Sequence, residues 1–244
     1  MFSFANIPPV VKNILIINGL LFLATSIAPT WGVDLGVLLG LHHPSSQLFY
    51  VHQIVTHIFM HGGFTHILFN MYGVFMFGSA LEKVWGPKRF LIFYMVSGIG
   101  AAGFYLLTHH IQIYYMLPEA SPEVLELVYG GEGAETIAKG LNYTAPFLGK
   151  LNGLVNGGMV GASGALFGLL LGYAMLFPNT MLMLLFIPFP IKAKYFVMGY
   201  GAMEIFLTIS NNPNDNIAHL AHLGGMLFGF ILIKLWQKDR SNFY

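Results

Sequence analysis

Long apolar stretches with almost no charge between them constrain this chain more than any other feature of its sequence. Of its 244 residues, 56% are hydrophobic and only 9% are charged, whereas a soluble domain carries about 25% charged residues. So few charges cannot cover a water-soluble globule of this size, and the composition therefore predicts a chain surrounded largely by lipid. The net charge of +1 indicates no nucleic-acid partner, and the absence of cysteine excludes disulfides, thiolate metal sites and a cysteine nucleophile.

Six apolar segments approach the length of about 20 residues that a helix needs to cross the hydrocarbon layer. We therefore predict an all-α membrane protein, a single domain over 1–244 that forms a bundle of six transmembrane helices. The predicted spans are 11–28, 64–81, 90–108, 157–176, 195–209 and 217–236. The long mixed region between the first two spans is predicted to be a loop with short helices at the membrane interface. The apolar segment 181–191 contains two prolines and is predicted to be an extended connector.

The distribution of basic residues predicts the orientation of this bundle. With a cytoplasmic N-terminus, nine of the eleven basic residues fall on the cytoplasmic side, and only Lys139 and Lys150 fall outside. This partition is the one that the positive-inside rule expects. The sequence therefore predicts that both termini are cytoplasmic, and a prokaryotic inner membrane suits this compact plan.

Four polar side chains lie near the outer ends of predicted spans. Placing a polar group there costs free energy, so such residues are candidates for a functional role. Ser163 and His222 each lie six residues into their span, which is roughly 9 Å below the outer boundary at about 1.5 Å per residue. His66 and Asn70 are four residues apart and therefore share one face of the second span. The fourth span is expected to be short and central, so that it begins below the outer surface.

These residue types are the ones that acyl transfer requires. A serine hydroxyl is a weak nucleophile until a base removes its proton, and His222 is the candidate base for Ser163. The oxyanion of the tetrahedral intermediate needs donors that already point at it. The candidates are the Asn70 amide, the His66 ring and the backbone N–H of Ser163.

Glycines on the fourth and sixth spans predict a close approach of the two helices. The fourth span carries Gly161, Gly164, Gly168 and Gly172, and the sixth carries Gly225 and Gly229 one and two turns after its histidine. Small residues at this spacing let membrane helices pack backbone to backbone. The glycines alone are equally consistent with a purely structural role in packing.

At these residues the sequence resembles the rhomboid intramembrane proteases. The segment 161–164, Gly-Ala-Ser-Gly, is similar to the family's G-x-S-G nucleophile motif, and 221–229 is similar to its A-H-x-x-G-x-x-x-G motif. The segment 66–70 is similar to its H-x-x-x-N oxyanion motif, and 78–86 carries a further G-x-x-x-E-x-x-x-G pattern. The four motifs occur in the family's order over the last three-quarters of the chain.

The resemblance implies a Ser–His dyad without a third acid, and cleavage of single-pass transmembrane proteins near a helix end in a water-filled cavity open to the outside. It also implies that His61 lies near the oxyanion site and that Phe167 packs against the catalytic imidazole. It implies no cofactor and no metal. The chain departs from the family in its first loop, where His52-Gln53 replaces the common Trp-Arg pair.

Several other histidines have alternative interpretations. His57 and His61 have the spacing of a zinc pair, but the H-E-x-x-H pattern with its acid is absent. His219 either orients the site or is an ordinary interfacial residue, and the second interpretation is favoured because helix ends tolerate polar groups. The remaining loop histidines are expected to be solvated: His42, His43, His109 and His110.

Two acids also need an explanation. Glu204 lies inside the fifth span, where a carboxyl is costly unless it is paired or protonated. It is either part of a proton pathway or gating contact, or a protonated or hydrogen-bonded packing residue facing the bundle, and the latter is favoured. Glu82, at the inner end of the second span, is expected to accept hydrogen bonds and to fix a loop.

Three functions are therefore compared. The first is an intramembrane serine endopeptidase that uses Ser163 and His222. The second is an inactive rhomboid-like protein that binds membrane clients without cutting them, for which loss of the serine or histidine would be diagnostic. The third is a transporter with a histidine-lined path, which would require an inverted repeat that the sequence does not contain.

Overall fold

The computed structural model describes residues 6–184, 187–210 and 218–238, and most of this part is helical. The helices are α1 (Pro9–Ile27), α2 (Leu35–Leu39), α3 (Gln53–Thr56), α4 (Phe64–Gly73), α5 (Ser79–Met116), α6 (Pro122–Tyr129), α7 (Glu132–Ala138), α8 (Pro146–Asn156), α9 (Ser163–Leu176), α10 (Ala193–Ser210) and α11 (His219–Lys238). Strands β1 (Met181–Leu184) and β2 (Ile187–Lys192) pair in antiparallel fashion. The predicted extended connector is therefore confirmed as a two-stranded sheet.

Within the described residues, three helical stretches are long and apolar enough to cross a membrane. They are Pro9–Trp31, Phe64–Glu119 and His219–Lys238, and α9 is a shorter apolar helix. The second stretch contains two predicted spans, because Gly86 adopts a φ of 75° and breaks the helix. This conformation is open to glycine at little cost. The chain is thus a multi-pass, mostly helical membrane protein, and the count of six crossings stays a prediction.

Two helices differ in extent from the predicted spans. Helix α5 continues to Met116 instead of ending at 108, and Ile113 of this extension belongs to one apolar cluster with Val128 of α6 and Leu151 of α8. Helix α9 begins at Ser163 instead of 157. Residues 157–162 are not helical, and Met159 forms a backbone bridge with Leu41 in both directions at 2.8 Å. The depth estimated by counting helical residues from 157 therefore does not hold for Ser163.

The outer layer consists of α6, α7 and α8 and joins the first loop through buried amides. Asn156 donates to the carbonyl of Val128 at 2.9 Å and to Oδ1 of Asn152 at 2.8 Å, and it accepts from the Ser46 hydroxyl at 2.6 Å. His42 contacts the Asn156 carbonyl at 2.8 Å. His42 and His43 are buried, so the expectation that both are solvated is wrong.

The first loop is held by the side chain of Gln53. Gln53 is fully buried, and its Nε2 donates to the carbonyls of Leu48, Val37 and Leu38 at 2.8, 3.1 and 3.3 Å. One amide therefore closes the turn between α2 and α3. Asp34 caps α2 by accepting from the N–H groups of its first turn.

At the opposite end of the molecule, Glu82 holds the start of α1. Its two oxygens accept from the backbone N–H groups of Val10 and Val11 at 2.9 and 2.8 Å. The free N–H groups of a helix start need such acceptors, and the helix dipole favours the negative charge there. Glu82 is thus a hydrogen-bond acceptor as predicted, but it fixes a helix instead of a loop.

Helices α5, α9 and α11 form the centre of the bundle and pack through glycine. A methyl group built on Gly225 would lie 1.9 Å from the carbonyl oxygen of Gly164, and one on Gly229 would lie 3.1 Å from the Cα of Gly168. The two glycine strips therefore face each other, as the sequence predicted. This contact is what brings the first turn of α9 against the first turn of α11.

Candidate active site

Ser163 and His222 are in direct contact. Ser163 is the first residue of α9, and His222 lies one turn into α11. The Oγ of Ser163 is 2.9 Å from Nε2 of His222, and His222 is buried. The predicted contact between a hydroxyl and an imidazole from separate helices is therefore confirmed, and the pair has the geometry of a nucleophile and its base.

Aromatic rings fix the plane of the His222 imidazole. Phe167, one turn after Ser163, stacks on it with a centroid separation of 4.1 Å and an interplanar angle of 7°. Tyr200 of α10 stacks on the other face of this phenylalanine at 5.2 Å, and Phe196 follows at 5.6 Å. The predicted packing of Phe167 is confirmed, and α10 extends the stack.

A carboxylate lies on the far side of the imidazole. Oε2 of Glu204 is 3.1 Å from Nδ1 of His222 and 2.5 Å from Nδ1 of His219. All three residues are buried. The first contact has the distance of an ion pair, but Nδ1 of His222 has no aligned hydrogen bond. The two atoms are therefore in contact without forming an aligned hydrogen bond.

This arrangement bears on the interpretations of three residues. The resemblance implied a Ser–His dyad without a third acid, and this stays a prediction, since Glu204 makes no aligned hydrogen bond to His222. The favoured interpretation of His219 as an interfacial residue is wrong, because its ring is buried against Glu204. The favoured interpretation of Glu204, a hydrogen-bonded carboxyl that faces the bundle, agrees with the structure.

The predicted oxyanion face lies beside Ser163. Gly161 has a φ of 134°, and a methyl group there would be 2.8 Å from Nε2 of His66 and 3.5 Å from Oγ of Ser163. Nε2 of His66 and Oγ of Ser163 therefore border one small gap beside Gly161, which a side chain at this position would fill. Asn70 is buried, and its Nδ2 donates to the His66 carbonyl at 2.9 Å. The second hydrogen of that amide is available for an oxyanion.

His61 supports this face from the first loop. Its ring is buried and lies 5.0 Å from the His66 ring in an edge-to-face arrangement. Burial, together with the neighbouring His66, lowers the pKa of His61 to about 4. Burial also lowers the pKa of His57 to about 4, and its Nδ1 contacts the Gln53 carbonyl at 2.7 Å. Both rings are therefore neutral at physiological pH.

Among the described residues, the one group of side chains that could hold a metal ion is Glu204, His219 and His222, with ligand atoms within 4.8 Å of one another. The zinc pair considered at His57 and His61 does not form such a group. Direct contacts between the carboxylate and the two imidazoles already account for the three ligand atoms.

A cavity of about 1420 Å³ connects the two faces of the site. It is bordered by Ser163 and His222, by His66 and Asn70, and by the aromatic side chains of α10. The predicted site residues that the structure brings to this cavity are Ser163, His222, His66, Asn70, Gly161 and Phe167. His61 lies behind His66 and does not border it.

Sequence reasoning missed the part of the site that α10 contributes. Tyr200 belongs to no recognised motif. The available signal was its spacing of four residues from Glu204, which puts both side chains on one face of a helix. The sequence did indicate a partner for Glu204, because a carboxyl in an apolar span costs free energy unless another group compensates it. Neither His219 nor His222 was identified as that partner, because no local spacing links α10 to α11.

Comparison with models of known protein families matches most of the chain to one family. The family described as Rhomboid domain matches residues 49–238. This range includes every residue of the site described above and excludes α1.

Curated relatives match over most of the chain. The rhomboid protein YdcA of Bacillus subtilis (strain 168) is 29% identical over 252 residues, covering 99% of this chain and 96% of the relative. RHOMBOID-like protein 12, mitochondrial, of Arabidopsis thaliana is 30% identical over 79% of this chain. Rhomboid protease AarA of Providencia stuartii is 27% identical over 71% of it. The matches cover 48% and 51% of the last two proteins.

Proposed function

This chain belongs to the rhomboid family, and from that membership we propose that it is an intramembrane serine endopeptidase. The observation that carries the proposal is the 2.9 Å contact between Oγ of Ser163 and Nε2 of His222. Two relatives from bacteria and plants extend the family match over most of the chain, and the name of a third, AarA, describes a protease.

In the proposed mechanism, the Ser163 hydroxyl donates its hydrogen bond to Nε2 of His222. As Oγ attacks the scissile carbonyl, the proton passes to Nε2, and the new C–O bond gives a tetrahedral intermediate. The protonated imidazole then gives this proton to the leaving amine, and the C–N bond breaks to leave an acyl-enzyme. The flat contact with Phe167 holds the imidazole plane throughout both transfers.

The oxyanion of the intermediate is proposed to sit in the gap beside Gly161. Nε2 of His66, the second hydrogen of the Asn70 amide and the backbone N–H of Ser163 are its proposed donors. Donors that are already in place stabilise the developing charge without reorganisation. The cavity supplies the route by which water reaches the acyl-enzyme for hydrolysis.

We propose that the substrates are single-pass transmembrane proteins, cut near the outer membrane boundary. Six crossings, with both termini cytoplasmic and the site open to the outer side, fit the distribution of basic residues. In this proposal α1 is the first crossing, α4 with the first part of α5 is the second, and the second part of α5 is the third. Helices α9, α10 and α11 are the last three. A bacterial inner membrane is the proposed location.

The test is cleavage of a transmembrane reporter by purified enzyme in lipid. We expect Ser163→Ala to abolish cleavage, because the nucleophile is removed, while the protein still folds. The matched control is Ser26→Ala, which removes an exposed hydroxyl of α1 and should cleave at the wild-type rate. Retained cleavage by the Ser163 variant would reject the mechanism.

The same assay separates the protease from a client-binding protein. A rhomboid-like protein that only captures membrane clients would bind the reporter and leave it intact in the wild type. Intact reporter bound to properly folded wild-type protein would favour that second function.

A further inference from the structure

The proposed mechanism assigns no role to the carboxylate of Glu204, which lies between α10 and α11. Glu204 is only 3% exposed, and its one oxygen Oε2 contacts both His219 and His222. A carboxyl in an apolar span costs free energy unless its partners compensate. Replacing such a buried pair by apolar residues is often neutral or stabilising, so stability alone does not explain this arrangement.

We propose that Glu204 is a positioning residue for His222, and that His219 holds the carboxylate in place. This inference rests on the proposed protease function and extends it. The site then forms a chain of four side chains, Ser163–His222–Glu204–His219, that joins three helices. Glu204 acts through the imidazole and does not touch the substrate.

The chemistry follows from the two nitrogens of His222. Only one nitrogen of a neutral imidazole carries hydrogen. A carboxylate 3.1 Å from Nδ1 favours hydrogen on that nitrogen, which leaves the Nε2 lone pair free to accept the proton of Ser163. Phe167 fixes the plane of the ring, and Glu204 fixes the rotation within that plane. When the imidazolium forms, the carboxylate also offsets its charge.

The shared oxygen explains the role of His219. Its Nδ1 lies 2.5 Å from Oε2, closer than that of His222. The shorter contact anchors the carboxylate, and the longer one is not aligned as a hydrogen bond. We expect the contact to His222 to tighten as the imidazolium forms, because hydrogen bonds to charged groups are shorter and stronger.

The experiment compares Glu204→Gln, Glu204→Asp and the neighbouring control Met203→Leu. We expect Glu204→Gln to lower kcat by about 10²-fold, with KM nearly unchanged and the melting temperature in detergent retained. This is smaller than the roughly 10⁴-fold effect of the equivalent change in the Ser-His-Asp template, because the resting contact is off-line. Glu204→Asp keeps the charge and should recover part of kcat, and Met203→Leu should match the wild type.

Two further readouts separate positioning from a structural role. The rate of labelling by a fluorophosphonate should fall in parallel with kcat, because labelling needs an activated serine but no docked helix. In wild-type protein, ¹⁵N spectra of histidine should show hydrogen on Nδ1 of His222, assigned by the peak missing in His222→Gln. This measurement needs no Glu204 variant to fold.

The inference is overturned if Glu204→Gln cleaves and labels at the wild-type rate, if its loss is recovered fully by restoring stability at lower temperature, or if His222 carries hydrogen on Nε2. Ser163→Ala in the same series keeps the two proposals apart. Labelling that survives Ser163→Ala rejects the protease mechanism itself. Labelling that is lost there but unchanged in Glu204→Gln rejects only the positioning role.

Discussion

Two buried polar networks of this protein are built in opposite ways. In the outer layer, the side chain of Asn156 makes three hydrogen bonds of 2.6 to 2.9 Å to neighbouring groups. Beside Ser163, by contrast, Oδ1 of Asn70 and both ring nitrogens of His61 have no hydrogen-bond partner in the described part of the chain. A satisfied network makes a structure rigid, and an unsatisfied buried group costs free energy.

The difference indicates what each network is for. The amides of the outer layer hold α6 and α8 against the first loop. In the site, Asn70 borders the cavity, where water can donate to its Oδ1, and His61 lies behind His66. Incomplete satisfaction of buried polar groups is therefore expected where chemistry takes place, and the two networks should respond differently to mutation.

The largest effect is expected at the oxyanion face. Asn70→Ala should lower kcat by about 10²-fold, since removal of one oxyanion donor costs roughly 10² to 10³ in the known case. Stability should change little, because the amide makes only one hydrogen bond within its own helix. Reporter kinetics and thermal unfolding on one preparation measure both quantities. An Asn70→Ala variant that unfolds at a lower temperature but keeps the wild-type kcat would contradict this prediction.

The opposite response is expected in the outer layer. Asn156→Ala leaves the Val128 carbonyl and the Ser46 hydroxyl without their partner, and unsatisfied buried groups cost about 1–3 kcal/mol each. We expect the free energy of unfolding to fall by about 2 kcal/mol, while kcat per folded molecule is unchanged. Reversible unfolding in mixed micelles gives the first quantity. Loss of kcat without loss of stability would place Asn156 in the site instead.

The most gradual effect is expected for His61, because its contribution to stability is lost over several pH units. Its pKa is about 4 in the folded protein and about 6.5 in an unfolded chain. Between these values the unfolded state binds more protons, so stability is full above pH 6.5 and is lost as pH falls toward 4. The slope is at most about 1.4 kcal/mol per pH unit.

Unfolding measured from pH 4 to pH 8 tests this dependence. His61→Gln should flatten the acid side of the curve of unfolding free energy against pH. His57, whose pKa is also about 4, should account for part of the pH dependence that remains in the variant. An unchanged curve in the variant would show that the pKa of His61 is the same in the folded and unfolded protein, and would contradict the prediction.

The sequence predicted those parts of the site that lie within local motifs. Ser163, His222, His66 and Asn70 each belong to a helical pattern whose spacing fixes one face, and the glycine strips on α9 and α11 predicted which helices meet. The glycines permit the close approach, and the approach determines the contact between the serine and the histidine.

The remaining features depend on contacts that no local spacing encodes. The pairing of Glu204 with His219 joins two helices across the segment 211–217, and only the packing of α10 on α11 brings the side chains together. The start of α9 was placed too early because the glycines before Ser163 are compatible with both a membrane helix and an extended strand. The bridge from Met159 to Leu41 decides between them.

The most direct measurement of the central claim is identification of the residue that reacts with a fluorophosphonate. Wild-type protein in lipid is labelled, digested and analysed by mass spectrometry, with His222→Ala as the matched variant that lacks the base. We expect a single adduct on Ser163, formed in the wild type and lost in His222→Ala. An adduct on another serine, or none on a preparation that cleaves its reporter, would contradict the account.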